Sequence, residues 1–115
     1  MRRTLAIALL IVAAPAAVLA HHGWGSYDAS KIVTVEGPIE ASTYANPHVQ
    51  ITVKAPDKTW TVTLAPISRM QSRGAPADFV AIGKIVKAEG YASKAEPGEM
   101  RAERITVDGK TVEMR

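Results

Sequence analysis

Apolar and polar residues alternate with a period of two over most of the chain after residue 31. Residues 32–39 read I-V-T-V-E-G-P-I, which predicts a first strand over residues 32–44. Gly37-Pro38 predicts a bulge or an edge position within this strand, because proline cannot donate a ladder hydrogen bond, and it predicts where this long strand bends. Asn46-Pro47 follows as a turn signal, since the residue before proline is pushed out of the helical region.

The next two predicted strands, residues 48–54 and 59–64, show the same alternation. In the earlier strand Val49 begins an apolar face, whereas His48 points to the opposite face. The later strand reads T-W-T-V-T-L, so Trp60 shares its apolar face with a valine and a leucine while three threonines face away. We expect Trp60 to fill the core between the packed strands.

The pattern then changes to a short helical segment before the strands resume. The remaining predicted elements are a helix over residues 66–74, strands over 84–91 and 99–107, a polar connection over 92–98, a hairpin turn at Asp108-Gly109 and a last strand over 111–114. This order predicts a mainly all-β chain forming a small OB-like barrel of five to six strands, with one short helix between strands three and four. A generic small β-barrel or sandwich is the alternative.

The first twenty residues have the composition of a secretory signal peptide. Arg2-Arg3 precede an apolar run over residues 5–12, and the segment closes on small or apolar residues that end at Ala20. We expect cleavage after Ala20; a transmembrane anchor is the alternative, although Pro15 breaks the apolar run. The predicted organisation is a signal peptide (1–20), an N-terminal His/aromatic arm (21–31) and an OB-like β-barrel domain (32–115), located in the periplasm or secreted.

Charge and composition narrow the functional classes. The 14 Lys and Arg outnumber the 11 Asp and Glu by three, and two of the 14 lie in the predicted leader, so the mature chain is close to neutral. Without a Lys/Arg-rich run we expect no nucleic-acid partner, and no membrane span once the leader is removed. The chain has no Cys and no recognisable catalytic motif, so we predict that it is not an enzyme.

The strongest candidate site comprises the three histidines of the chain. Cleavage after Ala20 would give His21 a free α-amine beside its own imidazole, with His22 next to it. Amine and imidazole nitrogens suit copper(II), which lies at the top of the divalent affinity order. We therefore predict a site for copper(II) or a similar divalent metal at His21, His22 and His48. Two geometries are open: a brace completed by His48, or chelation by His21 and His22 alone.

A metal-free binding module is the rival hypothesis. Here the barrel face and the arm, through Trp24, Tyr27 and Asn46, would contact a protein, a glycan or a small ligand, and the histidines would be surface groups. Trp24 and Tyr27 have a structural interpretation as well, in which they anchor the N-terminal arm to the barrel. The same ambiguity holds for the arginines at 69, 73, 101 and 104, which could form an anion pocket; interleaved glutamates favour a solvated face.

Several segments together resemble the secreted bacterial proteins of the domain-of-unknown-function family six-one-five-two. They are the post-leader H-H-G-W, the Y-A-N-P-H ending at His48, the run W-T-V-T-L-A-P-I-S-R-M-Q-S-R-G, the strand I-G-K-I-V-K-A-E-G-Y and the C-terminal M-R-A-E-R-I-T-V-D-G-K-T-V-E-M-R. The resemblance implies a periplasmic barrel-like domain and points to His21, His22, Asn46, Pro47 and His48, without implying a biochemical role. The family pattern Leu-x-x-Gly-Asp before strand four is replaced here by F-V-A-I-G-K.

Overall fold

The computed structural model describes residues 23–115 and contains six strands and one short α-helix. The elements are β1 (Val33–Thr43), β2 (Gln50–Lys54), β3 (Thr59–Thr63), α1 (Ile67–Ser72), β4 (Ile85–Ala92), β5 (Glu99–Val107) and β6 (Lys110–Glu113), with 3-10 turns at Trp24–Ser26 and Ala77–Val80. Every strand predicted from the period-two pattern is present, and the helix lies between β3 and β4 as expected.

The strands close into a five-stranded barrel to which β6 is added. Their order is β3-β2-β1-β4-β5-β6, and a further pairing between β3 and β5 joins the two ends of the five-stranded part. This closing pair is parallel and short, matching Thr61–Thr63 with Glu99–Arg101, whereas the other pairs are antiparallel. The predicted OB-like barrel with a helix between strands three and four is therefore confirmed.

The long strand β1 belongs to two pairings because it bends. Its first half pairs with β4 and its second half with β2, and the register with β2 shifts between Ile39 and Ala41. A Cβ at Gly37 would overlap the carbonyl oxygen of Lys54, so glycine permits the two backbones to approach. Gly37 thus marks the bend predicted from the sequence, although the extra bulge residue is Glu40.

The interior of the barrel is apolar and follows the alternation of the strands. The side chains of Val49, Ile51 and Val53 are at most 1% exposed, and Trp60 is buried with them. Helix α1 adds Met70 to the same core. No helix within residues 23–115 has the length and apolar character needed to cross a membrane.

Candidate functional site

A pocket of about 480 Å³ opens on the outer face of the barrel, where β2 and β3 meet the start of β5. Its rim is the loop between β1 and β2 on one side and the loop before β5 on the other. Tyr27 of the N-terminal arm closes a third side. Three of the residues predicted to form a site, Tyr27, Asn46 and His48, line this single pocket.

His48 is held at the rim by the backbone on both sides of it. The next residue, Val49, donates its N–H to the carbonyl of Ala65 at 2.9 Å and accepts from the N–H of Leu64 at 2.8 Å. Before it, the side-chain oxygen of Asn46 accepts the N–H of Ile67 at 3.2 Å, which ties the loop to the start of α1. The Asn46-Pro47 peptide bond is cis. His48 therefore stands half-buried on an anchored loop.

Arg101 is the centre of the pocket wall. Its side chain projects from β5 away from the barrel core, yet the residue is only 6% exposed. The guanidinium carbon lies 4.0 Å from the ring centroid of Trp24, and one guanidinium nitrogen lies 3.4 Å from Nε2 of His48. A guanidinium has donors only, so this contact requires Nε2 to be the acceptor. Arg101 thereby connects the N-terminal arm to His48.

The burial of Arg101 corrects one expectation from the sequence. The prediction that this arginine belongs to a solvated face is wrong, because Trp24 and Tyr27 cover that part of β5. Burial lowers the pKa of the Arg101 guanidinium, and the nearby guanidinium groups of Arg69 and Arg115 lower it further. An arginine nevertheless keeps its charge at neutral pH. The pocket thus contains a shielded positive charge.

The other three arginines of that group do not line the pocket. Arg69 and Arg73 donate to backbone carbonyls at the C-terminus, at distances of 2.7 to 3.0 Å, and so fasten α1 to the end of the chain. Arg104 pairs with Glu113 at 3.0 Å on the barrel surface. The four arginines therefore do not form one anion site; only Arg101 lines the pocket.

The N-terminal arm is anchored to the barrel by its aromatic residues. Tyr27 is 3% exposed, forms an isolated β-bridge with Ser93 and donates its hydroxyl to Oε1 of Glu99 at 3.1 Å. Trp24 packs edge-on against Tyr91, with ring centroids 6.1 Å apart. Besides the Arg101 contact, the Trp24 ring lies 4.7 Å from the guanidinium of Arg115. These contacts match the anchoring interpretation of the two aromatics.

Burial raises the pKa of the Tyr27 phenol above its ordinary value of 10.0, and the negative charge of Glu99 raises it further. A hydrogen bond with Thr63 acts in the opposite direction. Because the phenol is held neutral, it can remain a donor to Glu99 well into the alkaline range. The carboxylate is therefore kept oriented at the wall of the pocket.

Among the polar lining residues, Gln50, Thr63 and Glu99 were not proposed as site residues from the sequence. Gln50 and Thr63 are register partners on β2 and β3, and the Gln50 amide donates to the Thr63 hydroxyl at 3.2 Å. Thr63 is in turn the register partner of Arg101 across the parallel β3–β5 pair. An OB-like strand order predicts this neighbourhood, so the topology, applied to outward-facing side chains, was the signal that could have identified them.

The predicted metal residues are only partly within the described chain. His48 is at the pocket, whereas His21 and His22 lie outside residues 23–115. Within that range, no group of three or more His, Cys, Asp or Glu residues is arranged to hold a metal ion. Both predicted geometries therefore need ligands that precede Gly23, and the brace geometry alone includes His48.

Comparisons with solved structures bear on the fold. In the crystal structure of the S. pombe Stn1-Ten1 complex, a chain is 18% identical over 66% of this protein, with a TM-score of 0.53. In the crystal structure of a ZRD-deleted mutant of TiaS in complex with agmatine, the identity is 14% over 73%, with a TM-score of 0.54. The protein spans 57% and 26% of those two chains. Similarity at this level shows a common fold alone.

Comparisons of sequence bear on the family. No curated protein matches the chain. The family model described as "Family of unknown function (DUF6152)" matches residues 8–101, which is most of the sequence. The chain therefore belongs to the DUF6152 family.

Proposed function

We propose that this protein is an exported periplasmic or secreted domain that binds copper(II) or a similar divalent metal. The ligands would be the α-amine and imidazole of His21, the adjacent His22, and His48 on the barrel. This assignment requires removal of residues 1–20, since the α-amine of His21 exists only after that cleavage. The proposal assigns the domain metal binding for sequestration or transfer and no catalysis.

The observation that carries the proposal is the shared contact at Arg101. Trp24 and His48 touch the same guanidinium, at 4.0 Å and 3.4 Å. His22 is two residues before Trp24, and consecutive Cα atoms are about 3.8 Å apart, so its Cα is within about 8 Å of that of Trp24. The imidazole of His48 is therefore within reach of ligands on the short segment before Gly23.

The anchored arm also supports the proposal, because a metal site gains affinity when its ligands are held in place. The amide of Asp28 donates to the carbonyl of Ala92 at 2.8 Å, and Tyr27 is buried against β5. The position of Gly23 is thereby limited relative to His48. Copper bound through Nε2 of His48 would replace the Arg101 contact at that nitrogen, since the guanidinium and the metal use the same lone pair.

The test is a Cu(II) titration by calorimetry and electron paramagnetic resonance, on chain secreted and processed in its host, with mass spectrometry defining the N-terminus. We expect one tight equivalent with a multi-nitrogen signal, weakened by His48→Ala by on the order of tenfold or more. Gln50→Ala is the matched control, because it changes a pocket residue without removing an imidazole. Two alanines added before His21 should also weaken binding, by displacing the α-amine.

Weak binding that is indifferent to His48→Ala and to the N-terminal extension would contradict the metal proposal. It would favour the second candidate function, a metal-free binding module. The observation behind that candidate is the location of the pocket, which is enclosed by the β1–β2 loop, the β2–β3 surface and the loop before β5. OB folds use this face and these loops to bind their ligands.

A further inference from the structure

Two side chains of opposite charge on strand β5 line the pocket. Glu99 and Arg101 both line it and are separated by one residue on β5. Residues two apart on a strand point to the same face and lie about 7 Å from each other. A ligand that entered the pocket would therefore meet a carboxylate and a guanidinium at neighbouring positions.

Each of these charges is oriented by a partner of its own. Glu99 accepts the hydroxyl hydrogen of Tyr27 at 3.1 Å, whereas the Arg101 guanidinium lies over the Trp24 ring and contacts His48. A guanidinium makes its hydrogen bonds at its edge, where it can donate to a carboxylate oxygen. The carboxylate of Glu99 is suited to an ammonium group, because the two carry opposite charges and the ammonium group donates hydrogen bonds.

The size and the remaining walls limit the ligand further. A volume of about 480 Å³ is at the small end of the range for ligand pockets, which is roughly 300–1,000 Å³. Ala45 and Pro47 give the rim an apolar part. An ammonium group and a carboxylate attached to the same carbon can reach two neighbouring side chains of opposite charge. Each group then makes one charged hydrogen bond of about 2.8 Å.

We propose that this pocket binds a small zwitterion of the α-amino-acid type, with the ligand carboxylate on Arg101, its ammonium group on Glu99 and a small apolar side chain against Ala45 and Pro47. The proposal rests on the second candidate function, that the pocket is a ligand site, and it is independent of metal binding. It differs from a general anion site because Glu99 repels a ligand that carries a carboxylate alone.

The test uses three ligands that differ only in their charged groups. L-leucine carries both, 4-methylpentanoate lacks the ammonium group, and 3-methylbutylamine lacks the carboxylate. Each is titrated into the ¹⁵N-labelled, secreted and processed chain in the presence of EDTA, which removes metal. We expect L-leucine to shift the amide signals of Gln50 and Thr63, and each single-charge ligand to bind at least about tenfold more weakly.

The matched variants are Glu99→Gln and Glu36→Gln. Glutamine at 99 can still accept the Tyr27 hydroxyl, so only the charge is lost; we expect L-leucine affinity to fall by about tenfold and to approach that of 4-methylpentanoate. Glu36 is an exposed residue of β1 outside the pocket, and its replacement should leave the affinity unchanged.

The outcomes separate the two proposals. If 4-methylpentanoate binds as tightly as L-leucine, or if Glu99→Gln retains the affinity, the zwitterion proposal is overturned while the pocket remains a ligand site. If none of the three ligands shifts the Gln50 and Thr63 signals, the zwitterion proposal is overturned, and the second candidate function loses this class of ligand. The copper titration is unaffected by either result.

Discussion

The barrel interior and the outer face beneath the N-terminal arm are both buried, but by different means. In the interior, Ile51, Val62 and Ile105 are at most 1% exposed and belong to one apolar cluster. Beneath the arm, Thr63 and Arg101 are each 6% exposed, although both side chains project outward from their strands. Aromatic rings of the arm, and not a second layer of strands, cover most of these two side chains.

The interior and the outer face therefore contribute differently: apolar burial in the interior stabilises the fold, whereas the polar contacts beneath the arm fix the geometry needed for binding. Apolar burial contributes about 25 cal/mol per Å² and has no directional requirement. A buried polar group, by contrast, is tolerated only when specific partners replace its water. Beneath the arm those partners are the Trp24 ring, the Tyr27 hydroxyl and the His48 imidazole. The outer face is thus the part of the molecule whose geometry is defined by individual contacts, which is a requirement for a binding site.

The largest effect is expected at Gly90, one of two glycines at which neighbouring strand backbones leave no room for a Cβ. A Cβ at Gly90 of β4 would overlap the Arg101 carbonyl oxygen and lie 2.8 Å from the Cα of Ala102. Gly90→Ala should therefore lower the free energy of unfolding by about 3 kcal/mol or more, measured by urea denaturation. Gly25→Ala in the arm is the control, since nothing lies within 4 Å of the added methyl group. Equal stability of the two variants would contradict the tight β4–β5 approach.

The next effect distinguishes two arginines of the same strand. Arg101→Gln removes the stack on Trp24 and the contact with His48, so we expect a loss of about 2–4 kcal/mol in the free energy of unfolding. It should also speed hydrogen exchange at the Asp28 amide, because the arm is then held by fewer contacts. Arg104→Gln breaks ion pairs with Glu89 and Glu113 on the surface and should leave both measurements nearly unchanged.

A different result would revise the comparison of the two regions. If Arg101→Gln matched Arg104→Gln in both stability and Asp28 exchange, the guanidinium would be a bystander to the docking of the arm. Loss of stability without faster exchange at Asp28 would mean that Arg101 supports the barrel alone. The arm would then be anchored by its other contacts, among them those of Tyr27 with Glu99 and Ser93.

The interior was predictable from the sequence because one local rule determines it. Alternation identified Val49, Ile51 and Val53 as one apolar face, and the bend of β1 followed from Gly37. The hairpin at Asp108-Gly109 was equally local: both residues have positive φ, which this dipeptide tolerates. Interactions within a few residues of each other determine such features.

The outer face was less predictable because its contacts are distant in sequence. Tyr27 and Glu99 are 72 positions apart, and His48 and Arg101 are 53 apart. The interleaved glutamates correctly placed Arg101 outside the core, but they could not reveal that Trp24 covers it. Asn46 and His48 were identified from their residue types and the adjacent proline, yet their meeting with Tyr27 at one pocket depends on the closure of the barrel by β3 and β5.

The smallest expected effect is on the pH dependence of stability, and it comes from the Tyr27 hydroxyl on the outer face. Burial and Glu99 raise the pKa of Tyr27, so the folded chain holds this proton more tightly than the unfolded chain. Its contribution is complete below pH 10 and is lost as the pH rises through the higher folded value. Tyr27→Phe should cost about 1 kcal/mol at neutral pH and flatten the decline of the urea midpoint above about pH 10. Glu99→Gln should flatten this decline only partly, since burial of the phenol persists. An unchanged decline in Tyr27→Phe would show that other groups govern alkaline unfolding.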